Sequence, residues 1–111
     1  MSNPETDIVR NIRESIRKIG IPCERVHSGK VKVRRGWMQC ASVGTPDLWT
    51  ALGWLEVKVP GQKATNEQFE WHGRAQFWGV RTAVVDSVEK ALATVLDWRA
   101  EFEHEKAMGW K

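Results

Sequence analysis

The chain has no tyrosine, and only two cysteines and four prolines among its 111 residues. Cys23 and Cys40 have no CxxC spacing and no signal-type segment ahead of them. They read as ordinary reduced thiols of an intracellular protein, not as a disulfide framework. No apolar run approaches the ~20 residues of a membrane span, and the start lacks a charged-then-apolar targeting pattern. A cytoplasmic protein without a membrane partner is therefore expected. Internal repeats and low-complexity tracts are absent too, so neither a solenoid nor a disordered chain is in prospect. Neither sign of charge dominates: 17 basic and 14 acidic residues leave a net +3, which permits a polyanionic partner without demanding one. Against these shortages stand seven tryptophans. A chain of this length forms one domain and buries roughly 65% of the surface its unfolded form exposes.

Hydrophobic spacing gives the order of elements. Ile8, Ile12, Ile16 and Ile19 mark an amphipathic helix over 5–19, ending at Gly20. PCERVHS reads as a strand, with Ser28-Gly29 a turn. In KVKVRRGWMQC the cations Lys30, Lys32 and Arg34 alternate with Val31 and Val33, as a strand with one basic face would have them. GTPDLW and GWLEVKV form a hairpin. Thr65 caps a helix over 66–78 that Gly79 stops, and VRTAVVD is a further strand. Asp86, with Glu89 three residues on, caps a last helix over 87–104. Its apolar stripe is Val88, Leu92, Val95, Leu96 and Phe102, and HEKAMGWK beyond it reads as frayed. The order αβββ(β)αβα predicts an α/β domain, 1–111, with a mixed sheet flanked by helices.

The stretch GTPDLWTALGWLEVKVPGQ holds three charges in an apolar or Gly/Pro setting. Unpaired charge in a buried strand is expensive, so Asp47, Glu56 and Lys58 are either paired or a site. A loop over 50–53, with Gly53 free to take positive φ, sets Trp49 against Trp54 and Asp47 opposite Glu56. Opposed residues lie about 5 Å apart at Cβ, where like charges destabilise unless a cation intervenes. Glu56 and Lys58, two apart, share a face ~6.6 Å apart along the strand. Two carboxylates so placed suit a hard divalent cation such as Mg²⁺, and a lysine beside them can orient water or offset charge on a phosphate. The plainer reading is a Lys–Glu pair, with Asp47 a turn residue after Pro46.

The longer string GTPDLW…LEVKVPGQKATNEQ resembles the PD-(D/E)XK nucleases. It resembles in particular their virus-type replication-repair nuclease (VRR-NUC) branch: G-x-PD, an (I/L)EVK strand, a Gly-containing loop, then a glutamine on the next helix. PETDIVRNI and ERVHSG match that branch's N-terminal helix with a glutamate and its arginine-bearing strand. The resemblance covers about residues 5–90; the last helix carries no motif. It implies a restriction-endonuclease-like fold and Mg²⁺ or Mn²⁺ held by Asp47, Glu56, Glu5 and the main-chain carbonyl of Val57. Lys58 and Gln68 then orient the attacking water. Glu14 rivals Glu5 on the same helix. Thr65-x-x-Gln68 is also a capping box, which would explain the glutamine structurally.

DNA contacts fall to Arg25 and His27 near the site and to the stripe Lys30, Lys32, Arg34 and Arg35, suited to tracking phosphates. Lysines on an edge strand also simply deter aggregation. Trp37 beside the stripe could stack on an unpaired base. Trp71 and Trp78, seven apart, suit core or a dimer surface. By the resemblance, the expected activity is a homodimeric endonuclease resolving four-way DNA junctions. The alternatives are a flap, nicking or restriction-type nuclease with the same site, or a branched-DNA-binding module without catalysis.

Overall fold

Three helices and six strands lie among residues 4–27, 30–34, 36–39 and 42–109, which a computed structural model describes, with 30–33 and 36–39 as backbone. Helix α1 (Pro4–Lys18) is followed by strands β1 (Cys23–Arg25), β2 (Lys30–Val33), β3 (Gly36–Gln39), β4 (Leu48–Thr50) and β5 (Trp54–Val57). Helix α2 (Asn66–Phe77), strand β6 (Thr82–Val85) and helix α3 (Val88–Ala107) complete the chain. The main sheet has the order β1-β4-β5-β6, with β1, β4 and β5 antiparallel and β6 parallel to β5. It is a mixed sheet flanked by helices, as the sequence order requires.

The core lies on one face of that sheet. Val9, Ile12 and Ile16 of α1 and Ala91, Val95 and Trp98 of α3 pack on Leu48, Leu55, Val57 and Val85. Ile8 is only partly buried and Ile19 exposed, so the helix buries Val9 where the expected stripe has Ile8. Cys23 is fully buried in this layer, and desolvation pushes its thiol up to about 11, out of the reactive range. The opposite face carries Trp54 and, two residues on, Glu56; Trp71 of α2 meets Trp54 edge-on at 5.3 Å. Helix α2 therefore covers the face opposite to α1 and α3.

Local details depart from expectation in instructive ways. Gly53 does not take positive φ. It is needed because a Cβ there would lie 2.6 Å from the Arg81 carbonyl oxygen and 2.8 Å from the Trp98 ring. The turn is closed instead by Thr50, whose hydroxyl donates to the Gly53 carbonyl at 2.7 Å and accepts from the amides of Leu52 and Gly53. KVKVRRGWMQC is not one strand but a hairpin of its own, β2 against β3 with Val33 opposite Gly36, separate from the main sheet. Helix α3 is capped by Ser87, which accepts from the Lys90 amide at 3.1 Å; Asp86 forms an ion pair with the Lys90 ammonium at 3.0 Å. That helix continues three residues past 104 to Ala107, its outer turns tied by Arg81 to Glu101 and Glu105, both at 3.1 Å. The Ser28-Gly29 turn and Cys40 lie outside the described residues.

Candidate functional site

The site is built by the β4–β5 register. Trp49 pairs with Trp54 and Leu48 with Leu55, which carries Asp47, one residue before β4, to the position opposite Glu56. Asp47 bends its carboxylate across the gap, and Oδ2 accepts the Val57 amide at 2.8 Å. Lys58 follows β5 on the face of Glu56, its Nζ 3.9 Å from Glu56 Oε2. That is an ion pair too long for a hydrogen bond. The Lys58 amide donates to the Val85 carbonyl at 2.9 Å, fixing the backbone from which the lysine projects.

Glu56 is the anomaly. Only 1% of it is exposed, and its Oε1 has no hydrogen-bond partner among the described residues. Burial drives its carboxyl up to about 9, with hydrogen bonding to and the negative charge of Asp47 adding to the rise and Glu5 contributing a little more; Lys58 opposes it. A buried acid with an unsatisfied oxygen is costly, and such a group beside a second carboxylate has the chemistry to take a cation. The donors are all oxygens, as Mg²⁺ or Mn²⁺ prefers, and Mg²⁺ needs only one or two carboxylates because water and substrate supply the remainder. Among the described residues no three His, Cys, Asp or Glu side chains form a ready-made ligand set. The fit rests on Asp47 and Glu56, with Glu5 close enough for its charge to act on Glu56. Glu14 is exposed on α1 and is not among the charges that act on Glu56.

Gln68 is in the first turn of α2, and the structure gives it the capping role. Its Oε1 accepts the Thr65 amide at 2.9 Å, and its own amide donates to Thr65 Oγ1 at 3.2 Å. Only the side-chain NH₂ is left for other work. The turn is nonetheless held against the loop leading to Asp47. Gly44, at φ +94°, passes so near that a Cβ would fall 2.5 Å from the Glu67 carbonyl oxygen.

Arg25 ends β1 opposite Leu48, and the next residue, Val26, donates its amide to the Asp47 carbonyl at 2.8 Å. Arg25 is thus placed beside the site by backbone bonding, with exposed His27 just beyond. Lys30 and Lys32 lie on β2 and Arg34 in the turn that follows, on the separate hairpin, with Trp37 opposite Lys32 in register. Arg35 and the side chains of Lys30 and Lys32 lie outside what is described. One feature escaped the sequence reading. Arg10 and Arg13 line a groove of about 320 Å³ with Thr6, Val9, Glu24 and Arg25. Their spacing three apart on α1 was the available signal. His72 is buried with an unpartnered Nε2, and desolvation holds its pKa below the ordinary value.

Comparison with protein-family models, with curated proteins and with solved structures finds no match to this chain.

Proposed function

We propose that this protein is a divalent-metal-dependent DNA endonuclease of the PD-(D/E)XK type, related to the VRR-NUC branch, that hydrolyses phosphodiester bonds in branched DNA. The observation carrying the reading is Glu56: a buried carboxyl with an orphaned oxygen, set beside Asp47 and followed two residues later by Lys58. A purely structural ion pair would not leave an oxygen unsatisfied at such depth. Asp47, Glu56, Glu5 and the Val57 carbonyl would hold the ion. When bound, Mg²⁺ or Mn²⁺ supplies charge that polarises the phosphate and acidifies water.

The chain's own residues do the remainder. Asp47 is fixed by the Val57 amide, so one carboxylate oxygen is committed to the fold and the other is available to the ion. Lys58, with its side chain 12% exposed, can present its ammonium to a phosphate oxygen or to water from a nearly dry position, where charge is screened little and acts strongly. Arg25, Arg10 and Arg13 lie along one groove beside α1 and can receive phosphates flanking the bond to be cut. The hairpin β2–β3, with Lys30, Lys32 and Arg34, offers a second place for the backbone of the DNA.

A four-way junction is the substrate we favour, cut by two copies of the chain, since two-fold protein symmetry presents two sites to two strands. The test is incubation with Mg²⁺ or Mn²⁺ and a labelled four-way junction, a 5′-flap and a linear duplex, beside a Lys58→Ala control. Paired symmetric nicks in the junction alone support the full reading. Cutting of the flap or of every substrate keeps the chemistry and removes the junction. Junction binding without cutting in either metal points to the non-catalytic module.

A further inference from the structure

Helix α2 and its cap residue Trp78 turn three aromatic rings to solvent. Phe69 is 76% exposed and Phe77 and Trp78 are each 80% exposed. Phe69, Gly73 and Phe77 are four residues apart in turn, so they form one straight stripe. Gly73 stands at its centre. A mid-helix glycine costs stability relative to alanine, yet a Cβ at Gly73 would meet nothing within 4 Å. The folded chain itself gives no reason for a glycine there. A notch between two exposed phenyl rings is what close approach of another backbone requires.

We infer that this stripe is the contact between two copies of the chain, with α2 packed antiparallel on α2 of the partner about a two-fold axis at Gly73. The stripe is a palindrome about that residue, so the antiparallel register brings Phe77 of each copy over Phe69 of the other. Phe69 stands at a cleft of about 240 Å³ that it lines with His72, Gly73, Gln76, Ala83 and Val84, a hole beside each knob. An isologous contact needs knob and hole on the same surface, and both are here. Charge agrees. Glu70 and Arg74 flank the stripe, 69% and 83% exposed and only loosely paired with each other at 4.0 Å. In the antiparallel register Arg74 of one copy and Glu70 of the other are offset by two residues, ~3 Å along the axis, twice over by symmetry. The three exposed rings present on the order of 500 Å², more than half of the ~800 Å² that one partner gives a standard interface. The exposed Val84 beside the cleft extends the patch.

The pairing is argued from α2 alone and stands apart from the chemistry proposed above. Sedimentation equilibrium over a concentration series tests it without DNA or metal. The wild-type chain is expected to show a dimer mass. Gly73→Leu and Phe77→Asp, both at exposed positions and checked for folding by circular dichroism, are expected to raise the dimer dissociation constant about tenfold or more. Glu70→Arg and Arg74→Glu should each self-associate poorly. Mixing those two variants should restore dimers, because each then meets its opposite charge across the axis and not within its own helix. A monomeric wild type, variants that dimerise unchanged, or a mixture as dissociated as its parts would each overturn the pairing. A monomer that cuts branched DNA would end this contact and leave the nuclease reading intact; a dimer that cuts nothing would do the reverse.

Discussion

Asp47 Oδ2 accepts the backbone amide of Val57 at 2.8 Å, although the two residues lie on neighbouring segments of the hairpin and ten positions apart. In the proposed reading Asp47 has two duties, one to the fold and one to the ion. Replacements should separate them. Asp47→Asn keeps an oxygen that can accept from Val57, so it should fold with a stability change of about 1 kcal/mol or less while losing activity about a hundredfold or more. Asp47→Ala leaves the Val57 amide unpaired and should in addition cost about 1–3 kcal/mol. Denaturant melts and a nicking assay on the same preparations check both; equal melting of the two variants would show that the bond does not matter.

Lys58 stands beside Glu56, its Nζ 3.9 Å from Oε2. Lys58→Ala should lower the rate of cutting about 10²–10³-fold, the usual loss when one charge-stabilising donor is removed, with little change in DNA affinity. A KM that rises while kcat holds would make it a binding residue instead.

The raised carboxyl of Glu56 has a consequence for stability. The unfolded group titrates near 4.5 and the folded one near 9, so between those values the folded chain binds more protons than the unfolded chain. Stability from this group is therefore full below pH 4.5 and is lost progressively as pH rises towards 9. Thermal melts without divalent metal should fall over that window. Glu56→Gln should flatten the fall and be the more stable protein at alkaline pH, by roughly 1 kcal/mol or more. Millimolar Mg²⁺ or Mn²⁺ should stabilise the wild type and not the variant, since a bound cation favours the ionised carboxylate. A wild-type melting profile that does not respond to metal would remove the ion from the site.

Two sets of cations are candidates for the DNA backbone in the proposed reading, and salt dependence tells them apart. Replacing Arg10 and Arg13 by alanine, or Lys32 and Arg34, removes two cations in either case. If both surfaces touch phosphate, each pair should reduce the slope of log affinity against log salt by about 2, whatever the sequence of the DNA. The ion pairs of Arg10 with Asp7 and Arg13 with Glu24, both at 2.9 Å, do not argue against this. Exposed pairs of that kind are weak and exchange readily for phosphate. A slope unchanged by one pair assigns the contact to the other.

Where periodicity and turn geometry decide the outcome, the fold was legible in the sequence. The pairing of Trp49 with Trp54 follows from loop length, and from it the opposition of Asp47 and Glu56. The two-residue period likewise puts Lys58 beside Glu56. What depends on distant parts of the chain was not legible. Gly53 suggests a positive φ locally, but its reason is the Arg81 backbone and the Trp98 ring, 28 and 45 residues away. The hairpin within KVKVRRGWMQC has Arg34 in its turn, and arginine carries none of the chemistry that usually marks a two-residue turn. Ser87 and Asp86 are both good helix caps, and only the observed backbone distinguishes them. Neither the full burial of Glu56 nor the placement of α2, whose Trp71 meets Trp54, follows from any local pattern.

That placement of α2 gives the last test. Gly44 combines φ +94° with an approach that would leave a Cβ 2.5 Å from the Glu67 carbonyl oxygen and 3.2 Å from the Gln68 amide. Both atoms are backbone, so neither can swing aside. Gly44→Ala must therefore strain the loop, push the first turn of α2 outward, or do both, at a cost of about 2–4 kcal/mol. If Gln68 acts only as the cap of α2, replacing it by alanine should cost about 0.5–2 kcal/mol and leave the rate of cutting alone. If its free NH₂ also reaches the site, Gln68→Ala should slow cutting, and Gly44→Ala should slow it by a similar factor at temperatures where the chain is still folded, because it displaces the same turn. Rates for both variants, measured well below their melting temperatures, decide the point: two slow enzymes place the turn in the chemistry, and two unaffected ones confine it to the cap.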